Sequence, residues 1–419
     1  MSEVRRARLR AGGAQAIAHT LRPVAEQADL AEQVAAIIEA VRTRGDDALV
    51  DDARRFGAPE FTHDRLRVSR VALERAADGI APELRAAIVA AASQVRQVAE
   101  ALAPSDQLVT LPFGQRIGVR AVPVDAVGCY VPGGRAAYPS SLIMAAVPAQ
   151  VAGVRRIVAV SPPGPDGKVS KPILAAAALL GVDEVYAAGG AGAVAALAYG
   201  TATIAPVAVV VGPGSPWVQE AKRQVVGEVG IEGIAGPSEV MIIADDSADP
   251  VVVAVDLLAQ AEHGADSPAV LASDDPALID AVAAVLAEEA APIGPVTLVE
   301  CASMPLAVEL AEAFAPEHLQ VMTRDPAAVA GEITRSGAVF LGHVSATAFG
   351  DYVAGSNHVL PTGGAARYAS ALGPSTYTRR MSVIEMTAEA AEALTPHLAA
   401  LADAEGFPLH KRSAELRVP

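Results

Sequence analysis

A chain of 419 residues, 52% hydrophobic and 19% charged, is too long for one ordinary core and has the balance of a soluble protein of two or three domains. Its net charge of −16 argues against nucleic acid or an anionic membrane surface as partner, because both demand a basic face. Two cysteines, Cys129 and Cys301, make no disulfide framework and point to a reducing compartment.

No stretch offers the roughly 18 uninterrupted apolar residues that a bilayer span needs. The basic N-terminus lacks the apolar run of a signal peptide, so the expected location is cytoplasmic. Aromatics are only 4%, which predicts a core of small aliphatic side chains.

In chain order, the segment up to about Ala90 reads as helical. Leu30–Arg44 shows the pattern, with apolar and charged residues at helical spacing. From Ile117 onward, short β-rich runs alternate with alanine-rich helical runs. The strand candidates are Ile117–Val124, Val127–Val131, Arg156–Val160, Glu184–Ala187, Val207–Val211 and Glu239–Ala244. Ala269–Ala272, Val296–Val299, Leu319–Met322 and Ala338–Leu341 follow.

Such alternation predicts βαβ units, hence parallel sheets covered by helices on both faces. Ten strands exceed what one compact sheet usually holds, so the prediction is an α/β protein with two Rossmann-like parallel-sheet domains. Gly- and Pro-rich stretches at 132–134 and 234–237 mark the crossings. The predicted division is an arm over 1–21, a first domain over 22–125 plus 236–378, a second over 126–235, and a segment over 379–419. Beyond about Thr376 the chain reads as helical.

The segment Asp249–Gly264 carries the first chemical signal. Asp249 suits a helix cap, Pro250 its first position and Gly264 its stop. Gln260 and His263 lie three apart, on one face of the last turn. An imidazole nitrogen and an amide oxygen can approach one cation there. His263 alone reads equally well as a histidine at the negative end of the helix dipole.

Other polar clusters are Pro316-Glu317-His318, Gly350-Asp351-Tyr352 leading to Asn357-His358, and Glu405 with His410. Gln260, His263, Asp351 and His410 would offer zinc two nitrogens and two oxygens. There is no HExxH or CxxC motif, so spacing alone leaves the metal open. Glu317-His318 by itself also reads as a solvated helix exit. His19 and His397 read as surface residues, and His343 has no assignment.

Taken together these strings resemble the histidinol dehydrogenase family over most of the chain. The matching segments are GCYVPGG at 128–134, YPSSLIMAAVPA at 138–149, VAGVRRIVAVSPP at 151–163 and AKRQVVG at 221–227. AGPSEVMIIAD at 235–245, DLLAQAEHG at 256–264, APEHLQVMTRDP at 315–326, GDYVAGSNHVLPTGG at 350–364 and AEG with His410 complete the set.

The resemblance implies oxidation of histidinol to histidine through the aldehyde, with two hydride transfers to NAD and one zinc ion per subunit. It implies Gln260, His263, Asp351 and His410 as zinc ligands and Glu317 and His318 as the acid/base pair. Ser238, His358 and Glu405 would hold the substrate alongside the metal ligands and His318. Tyr130, Gly192 and Ser215 match positions on the dinucleotide. The family's homodimer exchanges segments, so the tail with Glu405 and His410 would complete the partner's site. His318 suits the base of the first oxidation, and a buried Glu317 suits activation of water in the second.

The cofactor side departs from the family pattern. Gly192 stands where a glutamine is usual, Ser215 where an asparagine is usual, and Ala208-Val209 replace a charged pair. Each unmade polar contact weakens dinucleotide binding by about 1–3 kcal/mol. The stretch Ala287–Cys301 is short for the family, and Leu372–Arg380 alters the aromatic spacing. Two alternatives therefore stand beside the first reading: a paralogue oxidising another zinc-chelating alcohol, and a metal-binding protein without dehydrogenase activity.

Overall fold

The computed structural model describes residues 4–23, 29–133, 136–289 and 294–418. Gly134 of the first predicted crossing, and part of the short stretch Ala287–Cys301, lie outside the described residues. The strands in chain order are β1 (Arg5–Leu9), β2 (Gln107–Thr110), β3 (Arg116–Pro123), β4 (Ala126–Tyr130) and β5 (Arg156–Ser161). Next come β6 (Glu184–Ala187), β7 (Val209–Val211), β8 (Gly230–Ile231), β9 (Val240–Ala244) and β10 (Ala269–Ser273). β11 (Val296–Cys301), β12 (His318–Met322), β13 (Ala338–Leu341) and β14 (Thr378–Glu385) complete the set.

Two parallel sheets form, as the alternation of strand and helix predicts. The first has the order β1-β11-β10-β9-β12-β13 and the second β6-β5-β4-β7-β8. Alternate residues of β9 feed opposite faces of the first sheet. Met241 and Ile243 join the core under helices Ala14–Thr20 and Met304–Phe314, while Val240, Ile242 and Ala244 join the one under Pro250–Ala261 and Pro276–Glu288. Each fully buried aliphatic side chain contributes about 1.5–3 kcal/mol to this arrangement. In the second sheet, a Cβ at Gly128 would stand 2.7 Å from the Leu197 side chain, so glycine there lets helix Gly190–Tyr199 approach closely.

Three expectations are corrected. The helices within 30–102 do not cover the first sheet. Val34, Ile38, Leu49, Leu73, Ile88 and Val95 share one core with the strands of the second. The predicted arm is not separate either, because Arg5–Leu9 is an edge strand pairing β11 and helix Ala14–Thr20 packs on helix Met304–Phe314. Finally, the chain after Thr376 is not helical at once. β14 pairs β3, and β3 pairs β2, in a third sheet that is antiparallel. Helix starts only at Ala388.

This third sheet is largely exposed, and the two C-terminal helices, Ala388–Glu405 and Pro408–Glu415, bury only Ala390 and Ala402. Leu398, Leu401, Phe407, Leu409 and Leu416 are exposed along them. No helix among the described residues is long and apolar enough to cross a membrane.

Candidate active site

Helix Met304–Phe314 ends with Ala315 in the left-handed region (φ 47°, ψ 67°), which turns the chain through Pro316 into β12. Glu317 and His318 therefore arrive buried at the amino end of β12, where His318 pairs with Val240 of β9. Glu317 Oε2 accepts hydrogen bonds from Ser238 Oγ at 2.7 Å and from the Glu239 backbone N–H at 2.9 Å.

His318 Nδ1 lies 3.2 Å from the Glu239 carbonyl. A carbonyl only accepts, so Nδ1 carries the proton and Nε2 is the basic nitrogen of the neutral ring. Nε2 is buried without a hydrogen-bond partner and faces Asp351 Oδ1 at 3.6 Å, an ionic contact rather than a hydrogen bond. Burial disfavours the imidazolium, but Glu317 and Asp351 outweigh burial and push His318 up to about 10.

Asp351 comes from the short helix Thr347–Tyr352. Burial alone would raise its carboxyl, yet His318, His358 and His263 together hold it below the usual range. His358 Nδ1 donates to the Asp351 backbone carbonyl at 2.7 Å, and burial holds that imidazole below its ordinary value. The loop carrying both residues is fixed to the second core, with Asn357 Nδ2 donating to Met144 O at 2.8 Å. The site thus lies between the two parallel-sheet cores.

Asp249 caps helix Pro250–Ala261 by accepting from Val251 N at 2.8 Å, as predicted. Gln260 lies in the last turn and His263 just past it, its N–H bonded to Gln260 O at 3.2 Å. Gln260 is buried with Nε2 unpartnered, and neither side chain makes a hydrogen bond among the described residues. His263 is near enough to Asp351 for its charge to bear on that carboxylate.

His263 and Asp351 are thus near each other, with Gln260 three residues before His263, and these donor types would suit zinc. They do not complete a site. No group of three His, Cys, Asp or Glu among the described residues could hold a metal ion. Glu405 and His410 are exposed on the C-terminal helices, and no hydrogen bond or ion pair among the described residues links them to the cluster. His410 rests instead against Phe407, with ring centroids 5.1 Å apart.

The residues expected on the dinucleotide, Tyr130, Gly192 and Ser215, lie at or just beyond the carboxyl ends of strands of the second sheet. β5 and β6 lie on one side of β4, and β7 and β8 on the other, which makes a topological switch point there. The Tyr130 hydroxyl accepts from Gly190 N at 3.2 Å and so ties β4 to the start of helix Gly190–Tyr199. Burial raises that phenol, with the Gly190 contact opposing. Gly212 turns the chain after β7 with φ 121°, and a Cβ there would stand 2.1 Å from Tyr130 O. Only glycine fits that approach.

A buried ion pair holds both polar groups of Gly212. Glu232 Oε1 accepts from Gly212 N at 2.7 Å and from Lys222 Nζ at 2.7 Å, while Lys222 Nζ also donates to Gly212 O at 3.2 Å. Ser215 begins helix Pro216–Val225 with an exposed side chain that makes no cap hydrogen bond. Gly192 is buried against the helical layer, where a Cβ would lie 2.9 Å from Asp52 Oδ2 and 3.4 Å from Leu49 Cδ2.

Sequence reasoning missed Arg22, Glu239, Lys222 and Glu232. Glu239 lies inside the quoted AGPSE string and Lys222 inside AKRQVVG, so a charged residue in an otherwise apolar or glycine-rich run was the available signal. Arg22 carries no local signal.

The histidinol dehydrogenase family pattern matches residues 20–418. The chain is 46% identical over 412 residues to the histidinol dehydrogenase of Rhizobium meliloti, covering 95% of this chain and 94% of that one. It is 44% identical over 405 residues to that of Caulobacter vibrioides, covering 94% and 93%. The crystal structure of histidinol dehydrogenase from Elizabethkingia anophelis superposes with a TM-score of 0.94 at 29% identity, covering 100% of this chain and 98% of that one. On the family match, the extent of these identities and the shared fold, this chain belongs to the histidinol dehydrogenase family of oxidoreductases.

Proposed function

We propose that the protein oxidises L-histidinol to L-histidine through the aldehyde, with two hydrides passed to NAD, as a zinc-dependent homodimer of histidine biosynthesis. The observation that carries this reading is the buried imidazole of His318, with Nδ1 beside Glu317 and an unpartnered Nε2 facing Asp351. Zinc would be held by Gln260, His263 and Asp351 of one chain with His410 of the partner subunit. When bound it orients the amine and imidazole of the substrate and, by neutralising Asp351, favours neutral His318.

In the first oxidation, His318 Nε2 takes the hydroxyl proton while the carbinol carbon loses a hydride, which the nicotinamide would accept, giving the aldehyde. In the second, Glu317 accepts a proton from water as its oxygen bonds to the aldehyde carbon. Loss of a hydride from that carbon, which a second NAD would accept, gives the acid, whose remaining proton passes to solvent to leave the carboxylate. His358, its Nδ1 committed to a backbone carbonyl, offers Nε2 to the substrate, and Ser238 and the partner subunit's Glu405 flank it. Tyr130, Gly192 and Ser215 mark the dinucleotide side; Tyr130 shapes it by holding Gly190, and Ser215 offers a hydroxyl.

Exchange of the C-terminal segments is supported by the exposed apolar residues on helices that bury almost nothing against their own chain. The test is NADH formation from histidinol with and without chelator. Chelator-sensitive production of two NADH per histidinol supports the reading. Turnover of other alcohols but not histidinol, or zinc binding without redox activity, replaces it with one of the two alternatives.

A further inference from the structure

We infer that Arg22 and Glu239 form a positioning pair that sets the geometry of Glu317 and His318; this rests on the acid/base reading of those two residues. Glu239 touches them through every polar group it has. Its N–H donates to Glu317 Oε2 at 2.9 Å, and its carbonyl accepts from His318 N at 3.2 Å and meets His318 Nδ1 at 3.2 Å. Its carboxylate accepts from Glu317 N at 3.3 Å.

That carboxylate is 2% exposed and is matched by Arg22, whose Nε and Nη2 each donate to it at 2.8 Å. Such a two-point pair fixes orientation as well as charge. The same Nη2 donates to Phe314 O at 2.6 Å, and the guanidinium stacks on the Phe314 ring at 3.9 Å. Arg22 thereby also holds the end of the helix just before Ala315, the one non-glycine with positive φ among the described residues. A left-handed alanine is strained by about 1–2 kcal/mol, so that turn needs outside support to persist.

The N-terminal segment acquires a role from this. β1 and helix Ala14–Thr20 dock on the first sheet and deliver Arg22 to the back of the acid/base pair. Neither Arg22 nor Glu239 is placed to exchange a proton with substrate. Their effect is on where Glu317 Oε2 and His318 Nε2 point.

The test compares Arg22→Met, Arg22→Lys, the double variant Arg22→Met/Glu239→Gln and the reference Glu317→Gln. Thermal unfolding and histidinol binding by calorimetry are measured beside kcat and KM. The pair predicts that folded Arg22→Met loses kcat by about 10²-fold with KM and histidinol affinity within about threefold, and that Arg22→Lys recovers part of the loss. If Arg22→Met does not fold, because it strands a buried carboxylate, the uncharged double variant decides. A folded double variant with low kcat and normal histidinol binding supports the pair, and one with full kcat overturns it. Full kcat in folded Arg22→Met also overturns it. Full kcat in Glu317→Gln sinks the acid/base reading itself and the pair with it. Loss in Glu317→Gln with none in Arg22→Met removes the pair alone.

Discussion

The two parallel sheets build their halves of the site in opposite ways. In the second sheet the contacts are mostly backbone and lie at the carboxyl ends of the strands, where Gly190, Gly212 and Ser215 follow or border β6 and β7. In the first sheet the contacts are charged side chains at the amino ends, where Glu317 and His318 enter β12 beside Glu239 at the start of β9.

At the first sheet's own carboxyl end the side chains bond to one another. Asp245 accepts from Ser247 N and Arg324 N, and Arg324 pairs with Asp246. His343 lies 3.4 Å from Ser247 Oγ there, away from the acid/base pair. Each half is braced by a buried ion pair, Arg22–Glu239 in one and Lys222–Glu232 in the other. Side-chain identity therefore decides the first half, and backbone conformation the second.

This contrast can be broken at several points. The largest effect is expected from His263→Ala, with metal affinity falling by more than about 100-fold and turnover lost together. Metal analysis showing full zinc occupancy would remove His263 from the ligand set. His318→Ala should keep zinc and dimer yet slow kcat by about 10²-fold or more, and unchanged turnover would take it out of the mechanism.

On the other half, Lys222→Met leaves Glu232 buried without its cation. It should lose about 3–5 kcal/mol of stability in denaturant titrations and raise the KM for NAD more than that for histidinol. A stable variant with both KM values unaltered would show that the Gly212 loop holds itself. The smallest effect belongs to Ser215→Asn, where one added polar contact should lower the KM for NAD by up to about tenfold. A rise in KM would mean that the serine hydroxyl already fills that place.

Most of the parallel strands were legible because burial on both faces writes them as apolar runs; Glu184–Ala187 is read to the residue, and so is the half-exposed edge strand Ala338–Leu341. The third sheet was obscured by its exposure. β2 has no buried residue, and TRRMSVIE of β14 has no apolar face, so its strand form comes from pairing with β3 rather than from its own pattern. The basic run of β1 reads as a tail because its partners, Glu300 for Arg8 and Asp280 for Arg6, are almost 300 residues away.

Glu317, His318, Asp351, Gln260 and His263 were singled out by local strings, and of these the structure sets Glu317, His318 and Asp351 side by side, with His263 near enough to bear on Asp351. Arg22 was not, since its meaning depends on a carboxylate 217 residues later. The N-terminal helices were misassigned between the sheets because amphipathic spacing shows that a face is buried, not against what.

The central claim is that one chain's Glu317 and His318 work beside a metal completed by the partner subunit's His410. It is tested most directly by mixing two inactive variants, His410→Ala and Glu317→Gln, under conditions that exchange subunits. Each heterodimer would then contain one fully intact site, so a statistical mixture should recover about a quarter of the original activity. Heterodimers shown to form yet remaining inactive would contradict the shared site.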